Sequence, residues 1–87
     1  MAYAIRIRAA ALKEIKRIPD RESARIQFRI DALALNPRPH GSEKLGGGGK
    51  EHRIRVGVYR VIYSVDDGTR IVTVEKIGHR GDVYRGR

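Results

Sequence analysis

Residues 52–60 read HRIRVGVYR. Arg53, Arg55 and Arg60 fall at the polar positions of an alternating pattern that Gly57 interrupts once. Period-two alternation marks a strand with one wet face. Arginine gathered on such a face suits anion chemistry. Its planar fork donates two parallel hydrogen bonds to a phosphate, and its charge persists at any physiological pH. The first expectation is a face that holds phosphate.

The charge balance points the same way. The 87 residues carry 19 Lys and Arg against 10 Asp and Glu, a formal charge of +9. So strong a field in so small a chain favours polyanionic partners, nucleic acid first. A membrane surface fits less well, because no basic helix has a broad aromatic or leucine face. No apolar run reaches the roughly 20 residues of a membrane span, and the start, MAYAIRIRAAALKEIKR, lacks the apolar core of a signal peptide. A cytoplasmic protein forming one domain, residues 1–87, is expected. Cysteine is absent, which excludes disulfides and thiolate metal sites. No His, Asp or Glu grouping has metal-ligand spacing, so neither metal nor cofactor is expected.

The elements that must carry the arginines follow from periodicity. YAIRIR, Tyr3–Arg8, alternates as a short strand. AAALKEIKR, Ala9–Arg17, is rich in helix formers. Pro19 breaks that helix, and Asp20 is placed to cap the next one. From Arg21 to Leu35 the residues Ile26, Ile30 and Leu33 form an apolar stripe, while Arg21, Arg25 and Arg29 lie on the wet side. An antiparallel helical hairpin results. A loop follows, roughly Pro39–Lys50. Its glycines, Gly46–Gly49, precede a lysine but fail as a phosphate loop, which needs Gly at the position of Lys44 and Ser or Thr at that of Glu51. A flexible connector is the expected role. Three strands then follow, Glu51–Val56, Val58–Val65 and Arg70–Ile77, rich in Val, Ile and Tyr.

Two turns set the register. With Asp67-Gly68 as a two-residue turn, Arg60 faces Glu75, and the apolar side pairs Tyr63 with Val72 and Val61 with Val74. With Val56-Gly57 closing the preceding hairpin, Arg53 faces Arg60. Arg53, Arg55, Arg60, Glu75, Ile77 and His79 would then share the face away from the helices. Like charges placed opposite one another destabilise a sheet. Glu75 would offset part of that cost, and an incoming anion would offset the rest.

Strand, helical hairpin, YRVIYSV and the closing IGHRGDVYR together resemble the RelE/ParE superfamily of toxins, in particular the ribosome-dependent mRNA interferases of its RelE branch. The likeness spans nearly the whole chain, and Lys44-Leu45-Gly46 also fits. It implies an α+β domain, with an N-terminal strand and a helical hairpin on one face of a mainly antiparallel, four-stranded sheet. It implies cleavage of mRNA in the ribosomal A site by the ribose 2′-OH, leaving a 2′,3′-cyclic phosphate and a free 5′-OH. Carried over by position, Arg60 and Arg80 stabilise the phosphorane, and Tyr84 orients a base or assists proton transfer. Arg53 and Arg55 stand where relatives have lysines and bind backbone phosphate, joined by Lys50 and Lys76 as RNA-binding residues.

That exchange matters for proton transfer. A lysine can lose its proton in a basic setting, whereas an arginine effectively cannot. His79, beside Arg80, becomes the candidate general base, since histidine titrates near neutrality. Its competing role is local hydrogen bonding at the sheet edge, and that of Tyr84 is packing on the sheet. His40 and His52 are expected to be structural.

The resemblance further implies a cognate antitoxin carrying an acidic, partly disordered segment. Three other readings stay open: a ParE-like inhibitor of DNA gyrase, a plain nucleic-acid-binding module, and a decayed toxin that still binds its antitoxin. The tail with both Arg80 and Tyr84 favours the nuclease. Aromatics at only 6% argue against a general single-strand binder.

Overall fold

The computed structural model of the protein describes residues 2–46 and 50–79. Strand β1, Ala4–Ile7, half-buries Ile5 and Ile7 and exposes Arg6. Helix α1, Ala9–Arg17, follows, with Lys16 and Arg17 complementing the negative end of its dipole. Ile18 is extended, as a residue before proline prefers, and it turns the chain into helix α2, Asp20–Ala32. The cap position belongs to Pro19. Asp20, expected to be the cap, lies inside the first turn with Glu22, where both carboxylates favour the positive end of the dipole. Ile26, Ile30 and Leu33 are buried, as their stripe predicts.

Four more strands complete the sheet: β2, Glu43–Lys44; β3, Glu51–Val56; β4, Tyr59–Asp66; and β5, Ile71–His79. The order is β1-β5-β4-β3-β2, with β1 parallel to β5 and the other pairs antiparallel. The sheet has five strands where four were expected. The addition is β2, inside the segment assigned to a loop; two residues are too few to display a period.

Both helices cover one face of the sheet. Ala11, Ile18, Ile26, Ile30 and Leu33 pack there against Ile54, Val56, Val61, Tyr63, Val65, Val72, Val74 and Ile77. Tyr63 is wholly buried, and burial raises its pKa. Its hydroxyl donates to the Pro37 carbonyl at 2.7 Å, and its ring stacks on His52 at 5.6 Å. His52 is therefore an inward-facing structural residue, with Nδ1 3.0 Å from the Lys50 carbonyl oxygen.

Both turns differ from the sequence reading. The β3–β4 hairpin closes on Val56 and Tyr59, so the turn is Gly57-Val58. Gly57 has φ +63° while Val58 does not enter the positive region. Glycine at the first central position is the pattern of a type II′ turn. The β4–β5 loop has four residues, Asp67 to Arg70, because Asp66 pairs with Ile71. Asp66 Oδ1 accepts the Gly68 and Thr69 amides at 3.0 and 3.1 Å, bracing the wider turn. The Asp67 side chain points away from the turn. It receives Arg38 Nη2 at 2.8 Å and the Tyr3 hydroxyl at 2.6 Å, and these donors hold its carboxyl below the ordinary range.

A bulge in β5 has the larger consequence. Tyr63 pairs with Val74 but Ile62 pairs with Lys76, leaving Glu75 as the extra residue. Beyond it the strand's faces exchange. Ile77 enters the core at 3% exposure, and Lys76 passes to the outer face.

Candidate nucleic-acid interface

The face away from the helices can be built row by row. Nearest the β3–β4 turn, Arg55 lies opposite Arg60, and Arg60 lies opposite Gly78. In the next row Arg53 and Lys76 flank Ile62. Arg53, Arg55 and Arg60 thus share a face, as expected, although the opposed pair is Arg55–Arg60 and not Arg53–Arg60. The turn sits one residue later than expected, at Gly57-Val58, which moves partners by two and preserves parity. Gly78 presents no side chain beside Arg60. A small cleft of about 110 Å³ sits over the turn, lined by Arg55, Gly57, Val58, Tyr59 and Arg60.

The carboxylates are disposed differently from the sequence reading. Glu75 was expected opposite Arg60. The bulge carries it along the outer face, where it pairs with Arg8 at 2.5 Å and accepts the Ser64 hydroxyl at 3.0 Å. Arg53 is paired instead with Glu43 across β2–β3. Arg53 is accordingly sequestered, with a side chain only 14% exposed, while Arg55 is exposed. The cationic centre of the face is Arg55 with Arg60, and Lys76 stands one row behind.

Three other residues lie elsewhere than expected. Lys50 is at the opposite end of the sheet, 3.5 Å from Asp66, and does not join the arginines. Ile77 and His79 were expected on the outer face. The bulge reverses them: His79 pairs with Tyr59 and sets its ring edge-on to it, centroids 5.8 Å apart at 79°. His79 is exposed at the last position of β5, at the lip of the arginine face and not on it. Arg80 and Tyr84 lie outside the described residues. Among the described residues no cluster of His, Asp and Glu could hold a metal ion, and no helix is long and apolar enough to cross a membrane.

Arg25 and Arg29, expected on a solvated face, both reach the same turn. Arg29 Nη1 donates to the Arg55 carbonyl at 3.4 Å. Arg25 Nη1 lies 3.8 Å from where a β-carbon on Gly57 would stand. A signal was present, since Phe28 is a large ring placed off the apolar stripe between two arginines.

Comparison with known proteins agrees with this architecture. Residues 5–84 match the sequence model of the family described as the ParE toxin of the type II toxin-antitoxin system, parDE. The chain is 30% identical to the putative toxin RelE1 of Methanocaldococcus jannaschii, over 98% of each protein. It is 32% identical to the toxin RelE of Mycobacterium tuberculosis, over 95% of this chain and 87% of that one. The archaeal RelE–RelB complex from Pyrococcus horikoshii contains a chain of similar fold, at TM-score 0.84 and 31% identity, covering 93% of this chain and 98% of the other.

Proposed function

The chain belongs to the ParE toxin family of type II toxin–antitoxin systems, in its RelE-type branch, and from that premise we propose that it is a ribosome-dependent, metal-independent endoribonuclease acting on mRNA in the cytoplasm. The observation that carries the proposal is the Arg55–Arg60 pair, two like charges opposed on an outer face. Like charges directly opposite cost stability. A phosphodiester set between them converts the repulsion into two charge-assisted contacts.

In the proposed reaction the 2′-oxygen loses its proton and attacks the adjacent phosphorus. The bond from phosphorus to the 5′-oxygen breaks, and that oxygen takes a proton from solvent as it leaves. The products are a 2′,3′-cyclic phosphate and a 5′-hydroxyl. Arg60 stabilises the charge developing on the phosphorane, and Arg55 holds the backbone. Arg53 and Lys76 contribute field one row behind. His79 accepts the proton from the 2′-hydroxyl at the lip of the face, steadied by the Tyr59 ring. Arg80 and Tyr84 keep the roles the family likeness gives them, a second phosphorane contact and base orientation. With two arginines where relatives carry lysines, positioning by the ribosome supplies much of the rate.

A cognate antitoxin is the second partner, as in the RelE–RelB complex of the Pyrococcus relative. The charge of +9 fits an inhibitor with an acidic segment that orders on binding.

The deciding experiment is cleavage by the purified protein on programmed ribosomes, with cuts mapped by primer extension. Naked RNA and a gyrase supercoiling assay run alongside. Cuts within the A-site codon that end in a cyclic phosphate support the proposal. Blocked supercoiling without cuts would move the protein to gyrase inhibition, and Arg55 and Arg60 would then bind a protein.

A further inference from the structure

Helix α2 carries a second basic groove that the proposed reaction does not use. It has a volume of about 290 Å³ and is lined by Ala24, Arg25, Phe28, Arg29 and Val56. Arg25, Phe28 and Arg29 are spaced i, i+3 and i+4, which sets them on one face of the helix. Phe28 is 73% exposed in mid-helix, with its ring available to a partner between the two arginines. The groove adjoins the arginine face. Val56 and Gly57 lie at the β3–β4 turn, Arg25 reaches Gly57, and Arg29 bonds the carbonyl of Arg55 itself. Cationic side chains therefore flank the β3–β4 turn from both sides, Arg55 and Arg60 on the outer face and Arg25 and Arg29 on α2.

We propose that this groove is a binding subsite for structured RNA, in which Arg25 and Arg29 contact backbone phosphates and one unstacked base lies on the Phe28 ring. The inference rests on the ribosome-dependent reading and names a contact of the protein with its RNA scaffold away from the reacting phosphate. Base stacking on an aromatic flanked by arginine is the recurrent means of holding single-stranded nucleotides. A docked protein helix would need apolar anchors along several turns. Within the groove the exposed apolar surface of α2 is the Phe28 ring beside Ala24, while Ile26 and Ile30 are buried beneath it; exposed Ala32 and Leu35 lie further along the chain and do not line it. The groove is sized for a base and walled by positive charge.

The test is equilibrium binding of the full-length protein to purified small ribosomal subunits across a salt series, with cleavage kinetics in parallel. Arg25→Gln with Arg29→Gln should weaken binding and flatten the log–log salt slope by about 1.4, two phosphate contacts at about 0.7 each for single strands. Phe28→Leu keeps the apolar bulk but not the ring and should weaken binding roughly tenfold, whereas Phe28→Tyr should bind as the parent does. In both deficient variants KM rises while kcat holds, because the contact is equal in ground and transition states.

Arg60→Ala is the control. It should lose cleavage and keep most of its affinity for the subunit. If the parent protein binds and the groove variants match it in affinity and slope, the subsite is refuted and the nuclease reading stands. If the parent binds no subunit, both fall. Phe28→Leu binding like the parent would refute the stacking contact.

Discussion

Replacing Arg55 with threonine should make the protein more stable and less active. Arg55 and Arg60 form the second pair of a two-residue hairpin. By the alternation of an antiparallel ladder this is the non-hydrogen-bonded pair, with Cα atoms about 4.5 Å apart and side chains at their closest. Cross-strand pairs change stability by roughly 0.2–1 kcal/mol. A domain of 87 residues unfolds with an entropy of about 180 cal/mol/K at its midpoint, so Tm should rise by about 1–5 °C. The Arg29 contact is to the Arg55 carbonyl and survives the substitution. The gain should shrink in 1 M salt, where the screening length falls to about 3 Å. Arg53→Thr supplies the control of opposite sign: Arg53 is paired with Glu43, so the same change there should lower Tm. Differential scanning calorimetry at low and high salt reads the stability, and cleavage on programmed ribosomes reads the function. A fall in Tm for Arg55→Thr, or full activity in a stabilised variant, would refute the argument that the pair is held under repulsion for an anion.

Three further outcomes are expected. Arg60→Ala should reduce cleavage about 10²–10³-fold, as loss of one transition-state donor does, with circular dichroism unchanged; retained toxicity would remove Arg60 from the site. His79→Ala should slow cleavage more at neutral than at alkaline pH, where hydroxide replaces the base, and an unchanged pH profile would leave His79 with only its packing against Tyr59. Asp67→Asn should lower Tm at neutral pH, because the carboxyl depressed by Arg38 and Tyr3 stabilises the fold only while ionised. That contribution is complete above about pH 4, the unfolded carboxyl's pKa. It is lost as pH falls through the lower folded value, so the two proteins should converge in acid.

The sequence was sufficient for the elements and for much of the site. The break between the helices followed from Pro19, and the buried face of α2 from Ile26, Ile30 and Leu33, although the helix ends at Ala32, short of the expected Leu35. The strands followed from Val, Ile and Tyr alternation. The common face of Arg53, Arg55 and Arg60 was legible because parity within a strand is covalent, and the misplaced β3–β4 turn shifted partners by an even number. What depended on contacts between distant segments was not legible. Glu43 paired with Arg53 through a strand of two residues, too short to announce itself. The turn at Asp67 widened because Asp66 caps it and Arg38 and Tyr3 draw Asp67 outward. The bulge at Glu75 then exchanged the faces of β5, sending Ile77 inward and His79 onto Tyr59. The three-residue step from Val74 to Ile77 was its one trace in the sequence. A bulge is decided by what each face must bury and pair, and so is the approach of Arg25 and Arg29 to the β3–β4 turn. Both belong to the packed sheet and helices, where register is settled by the whole and not by any one strand.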